Sequence, residues 1–267
     1  LMSLLPEELE AIDGYNLNDV AIINSIIEDT GLEGYQTNRP DEWDFVTWKE
    51  TDNGKQVQEL MLEEKGMTGV LDISGLTELT ELNCENNELT ALIGVNIPKL
   101  DEFHCRNNLL EQMELSGVNN TIFLMRLSNN NFTELELPFD SYINDLDVSH
   151  NPQLRKLSIN ARVRGLDIDN NPELAEANYR EAVCRSLNCE NTQLTEIGVS
   201  WACIGLFTSG SQISRIRFYE SADEAYTSYF NHTVGGTIDI NIGSLVGGTN
   251  LALTAIPEEG CTFQKWL

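Results

Sequence analysis

Three histidines, six cysteines and two pairs of closely spaced aspartates are the residues of this 267-residue chain that could carry chemistry or hold a metal. The cysteines never occur as C-x-x-C, so a cysteine zinc site is not expected. His104 precedes Cys105, but neighbours on a strand face opposite sides, and His150 and His232 stand without the company that a nucleophile or hydrolytic metal site needs. No G-x-S-x-G, H-E-x-x-H, P-loop or G-x-G-x-x-G is present. The chain is therefore read as a non-enzyme without cofactor. The aspartates Asp145, Asp147, Asp167 and Asp169 are the metal candidate. If they lie on adjacent strands, Asp147 sits over Asp167 at about 4.8 Å, like charges oppose each other, and Ca²⁺ could relieve them. A chelating loop of the EF-hand kind is lacking.

The element that would position these residues is a repeat. LNCENNELTAL at 82–92 returns as LNCENTQLTEI at 187–197, with FHCRNNLLEQM from Phe103 and MRLSNNNFTEL from Met125 between them. Eight units begin at Leu60, Leu82, Phe103, Met125, Leu146, Leu166, Leu187 and Leu206, at intervals of 22, 21, 22, 21, 20, 21 and 19 residues. An apolar residue or cysteine stands three residues before each start, and another two after all but the last, where Thr208 stands. Cys84, Cys105 and Cys189 fill the later slot and Cys184 and Cys203 the earlier one. These five thiols are expected inside as small core residues, with a disulfide between stacked neighbours as the alternative. Asn87, Asn108, Asn130, Asn151 and Asn171 recur where each unit turns, with Lys65 in the first unit and Thr192 and Ser211 in the last two. A buried amide needs partners, so this asparagine is expected to bond the backbone of its own unit and the next.

The pattern L-x-x-L-x-[LC]-x-x-N-x-L over Val57 to about Phe218 resembles the bacterial, internalin-like class of leucine-rich repeat proteins. The resemblance implies an α/β repeat solenoid, right-handed, with a concave parallel β-sheet and a convex side of short extended or 3-10 pieces. Period-2 pairs such as Met113/Leu115, Leu135/Leu137, Leu157/Ile159 and Ile197/Val199 independently argue for extended returns rather than helices.

Four segments follow: a helical amino-terminal cap at 1–56, the solenoid of about eight coils at 57–218, a linker at 219–232 and a partial β module at 233–267. In the cap, Asn18 or Asp19 is the expected N-cap of a helix with apolar Val20, Ile23, Ile26 and Ile27 and a stop at Gly31, and the Trp43–Trp48 stretch should cover the first coil. In the module, Ile238, Ile240 and Ile242 alternate, as do Leu251, Leu253 and Ala255. Its G-G-T, G-T-x-L-x-L-T-A-x-P-x-x-G and F-x-x-W letters resemble the β repeat that follows the repeats of internalin-like surface proteins, with Cys261 in place of the usual aromatic. Such a module would normally continue past Leu267.

Charge narrows the partners. With 16 basic and 43 acidic residues the net charge is −27, which repels nucleic acid and anionic membrane. No apolar run is long enough to span a bilayer, and LMSLLPEELE lacks the basic start and apolar core of a signal peptide, so an exported form would be a mature part or a fragment. Residues flanking the inward leucines must face out on the sheet. They make rows containing Asn83, His104, Arg106, Leu124, Arg126, Asp145, Asp147, Asp167, Asp169, Asn188 and Phe207. A cationic patch at His104, Arg106 and Arg126 sits between acidic rows, and Phe207 and Leu124 are outward apolar anchors. The expectation is a monomeric module that binds a protein or glycan partner through this face. A passive spacer or self-associating wall element is the alternative. The resemblance implies display on a bacterial surface, as an adhesin or receptor.

Overall fold

A computed structural model describes residues 12–138, 140–179, 184–200 and 205–213, together with three further strands, Arg215–Tyr219, Gly236–Asn241 and Thr254–Pro257. The expected linker, apart from Tyr219, and Cys203, His232, Ile242, Leu251, Leu253 and Cys261 lie outside the described residues.

The chain winds as a β-solenoid. One long sheet has nine strands, of which the first, Val46–Lys49, pairs antiparallel with Gln56–Met61 and the rest stack in parallel. The register is the one the leucine spacing demands: Leu60, Leu82, Phe103, Met125, Leu146, Leu166, Leu187 and Leu206 each oppose their neighbours in the series. All but Leu206 are buried, and a one-residue slip would turn every one of them outward.

The return side consists of strands. Thr68–Asp72, Glu88–Val95 and Gln112–Ser116 form one parallel sheet, and Glu134–Leu137, Lys156–Ile159 and Glu176–Asn178 form a second. A third begins with Glu196–Ser200 beside Arg215–Tyr219 and continues antiparallel through Gly236–Asn241 and Thr254–Pro257. The 3-10 pieces implied by the family resemblance are not found among the described residues. Alternating apolar residues pair well enough coil to coil to draw the returns into sheet.

Each coil turns through a left-handed residue followed by the asparagine or, after Asn191, by Thr192. Asn86, Asn107, Asn129, His150, Asn170 and Asn191 all have φ between 51° and 58°, a region asparagine tolerates better than most side chains. The next residue points in. Asn130 donates from Nδ2 to the carbonyls of Cys105, Leu127 and Ser128 at 3.0, 3.1 and 3.3 Å and accepts the Leu110 N–H at 3.0 Å. Asn87, Asn108, Asn151 and Asn171 likewise donate to a carbonyl of the preceding coil and to one of their own. The amide donors therefore reach back to the preceding coil, not forward to the next as expected. The carbonyls that converge on the turn belong to the strand already laid down. Thr192 keeps only a bond within its own coil, to the Cys189 carbonyl at 2.9 Å.

Cys84, Cys105, Cys184 and Cys189 are buried in the core. Cys84 donates to Cys105 across adjacent coils, and burial pushes the Cys105 thiol well up and Cys189 up to about 12, so both remain protonated packing residues.

The cap is helix α1, Leu17–Asp29, whose Val20, Ile23, Ile26 and Ile27 are buried. Its N-cap is Asn16, which accepts from the Asn18 and Asp19 amides at 3.1 and 3.2 Å; the sequence placed the cap at Asn18 or Asp19. Asp19 is drawn elsewhere. It is buried and its Oδ2 accepts the Val57 N–H at 2.8 Å, fastening the helix to the first solenoid strand. Burial, opposed by that bond and reinforced by Glu78, raises its pKa. Trp43 and Phe45 are buried beside Trp48, Tyr15 and Tyr35 in an aromatic cluster against the first coil.

Replacing Asn130 with leucine leaves the buried Leu110 N–H unpaired, at a cost of about 1–3 kcal/mol, and takes one of two donors from each of the Cys105, Leu127 and Ser128 carbonyls, which keep Asn108, Asn151 and the Asn107 N–H. Ser211→Ala, which removes one local bond to the Thr208 carbonyl, should cost much less. Chemical denaturation of the two variants reads the difference in midpoint; equal losses would contradict the ladder.

Candidate functional site

The outer face of the long sheet is set by the strand register, so its side chains stand in rows across neighbouring coils. Asn83 opposes His104, His104 opposes Arg126, Arg126 opposes Asp147, Asp147 opposes Asp167, Asp167 opposes Asn188, and Asn188 opposes Phe207. A second row, two residues earlier, runs through Glu59, Glu81, Glu102, Leu124, Asp145, Gly165, Ser186 and Gly205. The structure thus brings the sequence-derived candidates into two lines, with Arg106 and Asp169 at the turns beyond them.

Several candidates have work of their own. Asn83, Asp147, Asp167 and Asn188 each accept the backbone N–H two residues ahead, from Glu85, Ser149, Asp169 and Glu190, at 3.1, 2.9, 3.1 and 3.4 Å. These side chains close the turn at the strand end. Asp147 also accepts the Ser149 hydroxyl at 2.7 Å. Asp145 takes the Asn144 side-chain amide at 2.9 Å and lies across Gly165, where an added Cβ would stand 2.3 Å from its Oδ1. Glycine at 165 is what gives Asp145 its place. Asp169 has His150 Nδ1 3.6 Å away. The four aspartates do not form a group of converging ligand atoms. The calcium candidate therefore lacks a gathered ligand set: turn closure draws Asp147 and Asp167 toward their own backbones.

The cationic patch is narrower than the sequence suggests. Arg106 donates from Nε to Glu85 Oε2 at 2.8 Å, so its charge is met by a carboxylate whose side chain is only 4% exposed. His104 stands between carboxylates, with Nε2 3.2 Å from Glu102 Oε2 and Nδ1 3.7 Å from Glu85 Oε1. Arg126, half-buried beside Asp147, makes no ion pair among the described residues. Among the described residues, one group of histidine, cysteine and acidic side chains could hold a metal: Glu81, Glu102 and His104, with one ligand atom from each inside 4.8 Å of the others. His104 thus has the company the sequence reading denied it. Spacing could have shown this, since Glu102 and His104 are two apart on one strand and Glu81 is one repeat earlier. Burial, the neighbouring Glu102 and Glu59 raise the Glu81 pKa, with His104 opposing.

Phe207 is 56% exposed and Leu124 half-buried. Phe123, 57% exposed beside Leu124, was absent from the sequence-derived set. It stands between the inward Ile122 and the outward Leu124, outside the positions that directly flank a strand leucine. On the return side an open cleft of about 450 Å³ is lined by Glu111, Met113, Glu134, Leu135, Glu136 and Lys156.

The family model of the divergent InlB B-repeat domain matches residues 226–267, the stretch holding the strands Gly236–Asn241 and Thr254–Pro257. Such repeats occur in bacterial surface proteins. No curated protein and no solved structure matches the chain. No helix among the described residues is long and apolar enough to cross a membrane.

Burial raises the Asp167 pKa first, with repulsion from Asp169 and Asp147 adding and the Asp169 N–H and Asn188 opposing. A carboxyl whose folded pKa is raised contributes its full stability below its unfolded value, and loses it as pH rises through the folded value. Asp167→Asn keeps an acceptor for the Asp169 N–H without the charge. It should melt higher than the parent at neutral pH, and the gain should vanish as pH falls below about 4, where the parent's aspartate is neutral too. Melting curves across pH check this, and a variant that is never more stable would contradict the assigned cost.

Proposed function

We propose that the chain is a non-catalytic recognition module of a bacterial surface or secreted protein. On this reading it is a leucine-rich repeat solenoid of the internalin-like kind, binding a protein or glycan partner through the outer face of its long sheet. The observation that carries the reading is the juxtaposition, on one continuous sheet, of Arg126 without an ion pair among the described residues, Asp145 and Asp147 on the strand directly beside it, and the exposed Phe207 four strands on. At the usual strand spacing that strip is about 19 Å long, enough for a protein loop or an oligosaccharide. The match to a repeat of bacterial surface proteins at 226–267 supports the setting. The net charge of −27 argues against nucleic acid and anionic membrane as partners.

A second reading, a passive spacer or self-associating wall element, draws on the turn-closing role of Asn83, Asp147, Asp167 and Asn188, which gives these outward polar residues a structural purpose. Ordered assembly of the chain without any ligand would favour it.

Charges on such a face mainly set association rate and specificity, while an apolar anchor sets residence time. With a partner captured from a screen of proteins and glycans, Arg126→Glu combined with Asp147→Lys should slow association and weaken its salt dependence. Phe207→Ala should mainly speed dissociation. Surface plasmon resonance reads both, and unchanged rates would move binding to the return side or the terminal segments.

A further inference from the structure

We infer that Glu81, Glu102 and His104 form a binding site for one Zn²⁺ on the outer face of the long sheet, with Glu85 orienting the histidine. The inference stands on the geometry of the first coils and does not rest on the partner reading. Glu81 and Glu102 are paired residues of adjacent strands, and His104 is two residues beyond Glu102 on the same side of its strand. Their ligand atoms already lie within 4.8 Å of one another, with His104 Nε2 and Glu102 Oε2 at 3.2 Å. Donors about 2.0–2.2 Å from a tetrahedral zinc stand about 3.4 Å apart, so small side-chain rotations complete the triangle.

The independent observation is Glu85. Its side chain is 4% exposed, its Oε2 is held by Arg106 at 2.8 Å, and its Oε1 is buried with no hydrogen-bond partner. That orphaned oxygen is 3.7 Å from His104 Nδ1. A metal on Nε2 leaves the imidazole proton on Nδ1, aimed at Glu85 Oε1, and this carboxylate–histidine–metal relation is how protein zinc ligands are held in tautomer and orientation. Glu59 extends the acidic row beside Glu81, so three like charges lie abreast where a divalent cation would offset them.

Donor chemistry selects the ion. One imidazole and two carboxylates suit zinc and its neighbours, whereas Ca²⁺ wants six to eight oxygens. Water takes the position left open on the solvent side. The thiols of Cys84 and Cys105 do not compete, being buried in the core just past the ends of the same strands.

The test is zinc titration of the full chain, free of added histidine tags, against a chromophoric chelator, with Co²⁺ as spectroscopic probe. One ion per chain should bind and raise the melting temperature, and the cobalt form should show visible ligand-field bands without intense thiolate charge transfer. His104→Ala and the isosteric Glu102→Gln should each weaken binding at least 100-fold, and Glu85→Gln by about 10- to 100-fold. Asp147→Asn should leave it unchanged. Circular dichroism of each variant verifies folding, and Glu102→Gln serves if His104→Ala does not fold. Absence of stoichiometric binding, retention of affinity in folded His104→Ala or Glu102→Gln, or a thiolate band would overturn the assignment.

Discussion

The asparagine at each turn is the interaction on which the solenoid depends. A coil that reverses direction inside the molecule leaves several backbone carbonyls pointing into a region without water, where each unpaired group is costly. One amide satisfies carbonyls of two successive coils and, in Asn87, Asn108, Asn130 and Asn171, receives an N–H in return. It can do so only if the preceding residue turns left-handed and the neighbouring coil stands in register. Leucine burial then follows the same registration, because the strand residues that face inward are fixed by where the turn places them. Hydrogen bonding sets the repeat and apolar burial fills it.

In-register stacking has a cost on the outside. Residues at one position of the repeat stand about 4.8 Å from their counterparts, so acid meets acid: Glu59, Glu81 and Glu102 in one row, Asp147 and Asp167 in the other. The chain meets this in different ways along its length. Asp147 and Asp167 fold onto their own turns, Asp145 leans over a glycine, and Glu85 takes Arg106. What is left for a ligand is less than the outward pattern promises, and it is concentrated where no internal partner intervenes.

Most of the architecture was legible because it is periodic. The eight strand starts pair in the order their spacing gives, and the inward cysteines read correctly as packing residues among those described. Several of the misreadings are places where a side chain chooses between partners. Asp19 looked like a helix cap, but the Val57 amide on a distant strand claimed it and Asn16 took the role. Arg106 looked like a free cation until Glu85, buried one repeat earlier, was seen to hold it. The direction of the asparagine bonds was equally hidden, since a repeat looks the same read forward or backward. Periodicity tells which face a residue occupies; it does not tell whom it bonds.

The two ends of the stack show how the growth of parallel pairing is stopped. A parallel sheet ending in open N–H and C=O groups invites another chain to add to it. At the first coil the strand Val46–Lys49 enters antiparallel, with a register break between Thr47 and Trp48, and helix α1 is pinned across the coil by Asp19. On the return side the late strand Arg215–Tyr219 is met by Gly236–Asn241, also antiparallel, from the segment that matches the B-repeat family. Reversal of strand direction carries the chain away from the stacking axis, and in both places it is supplied by sequence outside the repeat. The long sheet itself runs out at Gly205–Phe207, with no further strand paired among the described residues. That edge is short, three residues against the usual five or six, which limits the template it offers and leaves Phe207 as its exposed apolar feature.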